Sequence, residues 1–252
     1  MQLNQHKMVY SLMMRNKVLF MVVASVLTSL SLTGCKAVKD QLSKDMDRPT
    51  QPTTEAVAAD VYLDLSGSTN SLRAPIATLI KDVLDTHPKT MRVNYSTFNK
   101  DVRELGNTLN AGTYLDEMGA QWEALPKAEP RGTLLGGVFE HAAKVARRDT
   151  SIKRIVVIGT DGGFEDNMQQ VFNGLESLVQ AGNLQMIVFV GVQPGNSAKL
   201  NKLSEIADYA KNLRTEFPVQ VVNVLLSQNS VAIADAQRGI KELMEPAANG
   251  SK

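Results

Sequence analysis

Residues 155–163 read Ile155-Val156-Val157-Ile158-Gly159-Thr160-Asp161-Gly162-Gly163. Four consecutive β-branched residues leave no polar side to turn toward water. Such a run is a strand buried on both faces, as in a parallel sheet covered by helices. It stops at glycines and oxygen-bearing side chains, where the chain leaves the sheet. The same pattern occurs earlier: Val57 to Leu65 is a mostly apolar run broken by Asp60, and it passes into Asp64-Leu65-Ser66-Gly67-Ser68.

Between and beyond these two strands the apolar period changes from two to that of a helix. Leu72, Ile76, Leu79, Ile80, Val83 and Leu84 recur at helical spacing, and Pro75 places the helix start nearby, since proline is tolerated only in a first turn. Met91, Val93 and Tyr95 alternate as a second strand, and Val102–Leu105 gives a short third. Tyr114, Met118, Trp122 and Leu125 form a helix ended by Pro126, and Leu134, Leu135, Val138, Phe139, Ala142 and Val145 form another. Met168, Val171, Phe172, Leu175 and Val179 make an amphipathic helix, followed by a buried strand from Met186 to Val192. A helix through Leu200, Leu203, Ile206, Ala210 and Leu213, a strand from Val219 to Leu226 and a helix through Ile233, Ile240 and Leu243 complete the series. Strands alternating with amphipathic helices predict an α/β fold: three layers, doubly wound, with a mostly parallel central sheet and helices on both faces. Ligands of such sheets sit beyond the carboxyl ends of the strands, near the switch in strand order.

The whole chain has 252 residues, which suits one domain with appendages. At 43% hydrophobic and 21% charged residues it is not a wholly disordered chain. Residues 1–34 hold Lys7, Arg15 and Lys17 and no acid; setting those three aside, 27 basic residues become 24 against 26 acidic. No nucleic-acid partner is expected from that balance. The single cysteine, Cys35, excludes an intrachain disulfide and a cysteine-built zinc site, and His6, His87 and His141 are too scattered to form a metal cluster.

Three oxygen-rich clusters remain: Asp64-Leu65-Ser66-Gly67-Ser68, Thr160-Asp161-Gly162-Gly163, and Pro130-Arg131-Gly132-Thr133, which opens a helix. Hard cations prefer oxygen donors, and Mg²⁺ takes near-octahedral geometry at about 2.0–2.1 Å. Asp64, Ser66 and Ser68 alternate, so their side chains can converge on one point, and Gly67 lets the backbone turn. The competing reading makes Ser66, Ser68 and Thr133 simple caps of turns and helices.

Taken together, Asp-x-Ser-x-Ser at 64–68, a separate Thr133 and Thr-Asp-Gly at 160–162 resemble the metal-ion-dependent adhesion site of von Willebrand factor A (vWA) domains. The resemblance covers about residues 57–245 and implies the Rossmann-like vWA fold. It implies Ser66 and Ser68 as direct ligands of Mg²⁺ (or Mn²⁺ or Ca²⁺). Asp64 and Asp161 become water-bridged carboxylates, and Thr133 a ligand that joins in the liganded form. One coordination position is left for an acidic group of a partner protein. Arg131 departs from a purely oxygen-rich loop; its charge either weakens metal binding or attracts an anionic partner. The Glu165-Asp166 pair reads as a solvated helix start. Trp122 and Tyr114 read as core or lid packing, His141 as an ordinary half-buried histidine, Arg147-Arg148-Asp149 as a solvated helix end, and the methionines outside the leader as core filling.

At the amino terminus, residues 18–32 form a short apolar run behind Arg15 and Lys17, too short for a comfortable membrane span. It ends in Leu32-Thr33-Gly34-Cys35, which resembles a bacterial lipobox, and that resemblance implies cleavage before Cys35 and lipidation of its thiol. Lys36 then implies sorting to the outer membrane, facing the periplasm. Met13 or Met14 as the start would give a signal of more ordinary length. The expected organisation is a signal peptide over 1–34, a lipidated Cys35 and polar tether over 35–56, the folded domain over 57–245 and a disordered tail over 246–252. The expected function is a membrane-anchored, metal-dependent binding module of the bacterial envelope, not an enzyme. The alternatives are a Mg²⁺-dependent phosphoryl hydrolase with Asp64 as nucleophile, or a structural lipoprotein whose site is vestigial. The hydrolase reading lacks a carboxylate two residues past Asp64, where Ser66 stands.

Overall fold

A computed structural model describes residues 57–84, 91–108, 111–126, 132–214, 219–227 and 230–244. The signal-like segment, Cys35, the tether, His6, His87, Arg131 and the tail lie outside the described residues. The chain forms β1 (Val57–Asp64), α1 (Arg73–Leu84), β2 (Arg92–Phe98), β3 (Val102–Thr108), α2 (Ala111–Ala124) and α3 (Leu135–Arg148). It continues through β4 (Lys153–Gly159), α4 (Met168–Gln180), β5 (Leu184–Val192), α5 (Ser197–Leu213), β6 (Gln220–Leu225) and α6 (Ser230–Met244).

The six strands lie in the order β3-β2-β1-β4-β5-β6. All neighbours run parallel except β2 and β3, which are antiparallel. The chain moves outward from β1 to β3, then returns to β4 on the other side of β1. The switch in strand order therefore falls between β1 and β4, and the crevice for a ligand lies at their carboxyl ends. Asp64 closes β1, and Thr160-Asp161 follows β4 directly.

The buried β4 run divides its side chains between two cores, as a strand covered on both faces must. Ile155 and Val157 pack with Val61, Leu63, Ile80, Met118, Trp122 and Ile240 against α1, α2 and α6. Val156 and Ile158 pack with Tyr62, Phe139, Leu175, Phe189 and Ile206 against α3, α4 and α5. Pro75 is the third residue of α1, inside its first turn, where no hydrogen bond is lost. Asn167 starts α4 with a reciprocal capping box to Gln170, and Asn196 starts α5 by accepting from the Lys199 N–H at 3.2 Å. Among the described residues no helix is long and apolar enough to cross a membrane.

Two expectations change, and the polar break in β1 is accounted for. β3 runs through Thr108 rather than ending at Leu105, because it is an edge strand held antiparallel along β2. Asp60, the break in the β1 run, is buried: its carboxylate accepts from Arg154 Nη1 at 3.1 and 2.9 Å and from Asn94 Nδ2 at 2.6 Å. The acidic pair at 165–166 is not a solvated helix start. Asp166 is buried and its two oxygens accept the N–H groups of Leu135 and Gly136 at 2.8 and 2.6 Å, so it caps α3 from across the chain. Glu165, which is exposed, accepts from Gly132 N at 3.1 Å.

Candidate functional site

Asp64 is the deepest group of the crevice, with no exposed surface. Its Oδ1 accepts the Ser66 N–H at 2.7 Å, and its Oδ2 accepts the Thr160 hydroxyl at 2.8 Å. Its backbone carbonyl accepts from Trp122 Nε1 at 3.2 Å and from the Thr69 hydroxyl at 3.0 Å. The indole thus fills the core beneath β1 and also pins the strand end that carries the site. Burial drives the Asp64 carboxyl up from its ordinary 3.8 to about 6. The Ser66 and Thr160 hydrogen bonds pull it part of the way back, and the Asp161 charge pushes it further up.

Beyond Asp64 the chain makes a single 3₁₀ turn, Gly67–Thr69, with Ser66 at its start. The Thr69 hydroxyl also donates to the Ser66 carbonyl at 2.9 Å and locks this turn. The Ser66 and Ser68 hydroxyl oxygens then lie 3.1 Å apart. Thr133, buried just before α3, brings its hydroxyl to 3.5 Å from Asp64 Oδ1. It is held there by two backbone bonds, Glu165 N to the Thr133 carbonyl and Leu134 N to the Asn99 carbonyl, both 2.9 Å. Gly132 takes a φ of +56°, so the loop turns where a side chain would be strained.

Ser66, Ser68, Thr133 and the 163–165 loop line one open depression of about 300 Å³, with Asp64 hydrogen-bonded beneath Ser66. Asp161 stands beside it rather than in its lining. Asp161 is buried; its Oδ1 accepts the Gly163 N–H at 2.9 Å and its Oδ2 accepts from Lys199 Nζ at 2.8 Å. Asp64, Ser66 and Ser68 from one stretch of chain and Thr133 from a second are thus brought together, while Asp161 is tied to a lysine of α5.

The donors suit a hard cation. Octahedral bonds of about 2.0–2.1 Å place adjacent ligands about 2.9–3.0 Å apart, close to the Ser66–Ser68 separation of 3.1 Å. Among the described residues no three His, Cys, Asp or Glu side chains converge, so this set relies on hydroxyls with carboxylates behind them. The nearby buried carboxyl at Asp64 carries a charge that its neighbours only partly compensate, which a cation would relieve.

Comparison with solved structures gives the fold. The vWF domain of the type V pili tip protein Mfa5 from Porphyromonas gingivalis matches at TM-score 0.53 and 10% identity, over 77% of this chain and 98% of that one. The von Willebrand factor type A protein from Catenulispora acidiphila matches at TM-score 0.53 and 15% identity, over 75% of this chain and 43% of that one. An aerotolerance-related membrane protein from Bacteroides fragilis matches at TM-score 0.51 and 15% identity, over 75% of this chain and 98% of that one. This is a vWA fold. Comparison with family models and with curated proteins by sequence finds no match.

Several residues of the crevice in this vWA-type fold escape a reading of the sequence. Thr160 belongs to the Thr-Asp-Gly triplet, yet its role as the second partner of Asp64 needs the β1–β4 register to be seen. Lys199 reaches Asp161 from 38 residues away, and nothing local marks it. Lys202, one turn further along α5, lies 4.7 Å from the centre of the Phe164 ring and 3.4 Å from its carbonyl oxygen. His141 is half-buried, with Nδ1 at 3.0 Å from the Tyr62 hydroxyl and Nε2 at 3.2 Å from Glu104 Oε1. It belongs to a separate cavity, alongside Asp60 and Arg154.

Proposed function

We propose that this protein is a binding module of the bacterial envelope. A divalent cation, Mg²⁺ or one of similar hardness, would be held by the Ser66 and Ser68 hydroxyls, with Thr133 as a further ligand. Asp64 and Asp161 would act through water, and an acidic group of a partner protein would complete the coordination. Cys35 would carry the lipid that keeps the module at the outer membrane, facing the periplasm. One acyl chain binds a membrane only marginally, so stable anchoring needs at least two.

The observation that carries this reading is the pair of serine hydroxyls 3.1 Å apart, opening on a depression above a buried carboxylate. It is a geometry for gripping and presenting rather than for turning over a substrate. Asp64 is fully buried with both oxygens engaged, which leaves no free face for nucleophilic attack on phosphorus. Ser66 cannot serve as a general acid near neutral pH. Among solved structures sharing the fold is the pilus adhesin SpaC from Lactobacillus rhamnosus GG, matched at TM-score 0.52 and 10% identity, an adhesive protein by its own description. A cation bound only by the folded state adds about 2.7 kcal/mol when present at about 100 times its dissociation constant. Millimolar Mg²⁺ or Mn²⁺ is therefore expected to raise the melting temperature by several degrees, EDTA to reverse the rise, and a Ser66→Ala, Ser68→Ala variant to lose it. A wild-type protein that melts at the same temperature with and without metal would refute the cation.

A further inference from the structure

Asp161 already has a cation. Lys199 Nζ sits 2.8 Å from its Oδ2, with the lysine side chain 22% exposed and the aspartate 2%. The lysine is placed rather than wandering: it lies in the first turn of α5, whose start is fixed by Asn196 accepting the Lys199 N–H. The loop it grips is made to receive it. A Cβ added at Gly163 would come within 3.2 Å of both Lys199 Nζ and Asp161 Oδ1, and Gly162 turns the chain beneath Lys199 at a φ of +86°. Lys202 clamps the same loop at Phe164.

Consider the charges that face the crevice. Asp64 and Asp161 bring two carboxylates, and Lys199 brings one ammonium bonded directly to a carboxylate of the site; buried Arg73 lies within electrostatic reach of Asp64, and Lys202 sits over Phe164 at the rim. Exposed Lys100 and Glu165 sit together against Gly132 and offset one another, while Asp166 is spent on the N-terminus of α3. A dication in the depression would bring the two carboxylates to neutrality and leave the cationic side chains over, with Lys199 the one bonded to a carboxylate of the site. The loaded site then carries net positive charge in a partly buried place, which costs energy there far more than in water. A carboxylate arriving on the open coordination position offsets one unit of that charge.

We propose, resting on the metal-binding reading above, that Lys199 makes the cation and the acidic partner bind together: it weakens the bare cation and returns that loss when a carboxylate docks. The lysine is a specificity-determining residue here. It selects against a neutral ligand on the open position and against a metal held without a partner. By linkage the coupling is reciprocal, so the carboxylate must tighten the metal as much as the metal tightens the carboxylate.

The test uses the full chain and calorimetric titration with Mg²⁺, in chloride buffer and in buffer with excess acetate as the probe carboxylate. Lys199→Met removes the ammonium, Lys199→Gln keeps a donor for Asp161 without charge, and Lys199→Arg restores the charge. In chloride, both neutral variants are expected to bind Mg²⁺ at least tenfold more tightly than wild type, and Lys199→Arg to return to the wild-type value. Acetate should tighten Mg²⁺ several-fold in wild type and distinctly less in the neutral variants. If Lys199→Met fails to fold, Lys199→Gln carries the comparison. Neutral variants that bind Mg²⁺ no more tightly than wild type, or that gain as much from acetate, overturn the role of Lys199 and leave the metal site standing. Absence of Mg²⁺ binding in wild type and in the folded neutral variants alike overturns the metal site and this proposal with it.

Discussion

At the scale of the residue, Asp64 states the chemistry most directly. Folding removes it from water, and the hydrogen bonds it accepts from Ser66 and Thr160 do not make up the loss, so its carboxyl shifts upward from 3.8 to about 6. The folded protein therefore holds the Asp64 proton more tightly than the unfolded chain does. The stability this group contributes is complete below about pH 4 and is lost as pH rises through about 6. A shift of that size corresponds to roughly 3 kcal/mol at most. In the presence of EDTA, the wild-type protein is expected to lose stability relative to Asp64→Asn between pH 4 and pH 6.5, by about 2–3 kcal/mol in urea unfolding. The asparagine amide can still accept from Ser66 and pair with Thr160, so the variant should fold and melt higher than wild type at neutral pH. Parallel pH curves for the two proteins would show that Asp64 is not strained by burial. A carboxylate that destabilises its own fold at neutral pH is one that a cation can repay.

At the scale of the element, the α3–α4 pair positions Thr133. The two helices meet at glycines: a Cβ on Gly174 would lie 2.6 Å from the Gly136 carbonyl oxygen, and one on Gly136 would lie 2.8 Å from the Gln170 carbonyl oxygen. Backbone on both sides cannot yield as a side chain would. Gly174→Ala is expected to cost about 1–3 kcal/mol by prying the helices apart. Gly137→Ala, next to it on α3 but with nothing within 4 Å, should instead gain up to about 1 kcal/mol from helix propensity. Equal effects of the two substitutions on chemical denaturation would remove the close contact as the reason for these glycines. The contrast marks what a sequence can disclose. Strands and helices announce themselves through local periodicity, and Asp64, Ser66, Ser68, Thr133 and Asp161 stand out because oxygen-rich residues at strand and helix ends need some occupation. Asp166 and Lys199 do not stand out, because their partners are 30 and 38 residues away and depend on how elements pack. The acid before α4 looks like a cap for its own helix, and only the α3–α4 contact hands it to a different one.

At the scale of the whole molecule, the chain enters the sheet and presents its site at opposite ends of β1. β1 begins at Val57 and ends at Asp64, and its eight residues cross the sheet at about 3.3 Å each. The depression opens where β1 and β4 end, a full strand length from the point at which the amino-terminal segment joins. Attachment through Cys35 and capture at Ser66 and Ser68 should therefore be separable properties of the protein. In cells, Cys35→Ser is expected to abolish incorporation of labelled palmitate and to leave the leader uncleaved, which a shift to higher mass reads. The same variant should keep the Mg²⁺-dependent rise in melting temperature of the wild type within about a degree, because the depression lies at the carboxyl end of β1 and the substitution precedes its amino end in the chain. Palmitate labelling that persists in Cys35→Ser, or is absent from wild type, would refute the lipid anchor while leaving the metal reading intact. Loss of the Mg²⁺ response in that variant would show that anchoring and binding are coupled, and the two ends of β1 could no longer be treated as independent.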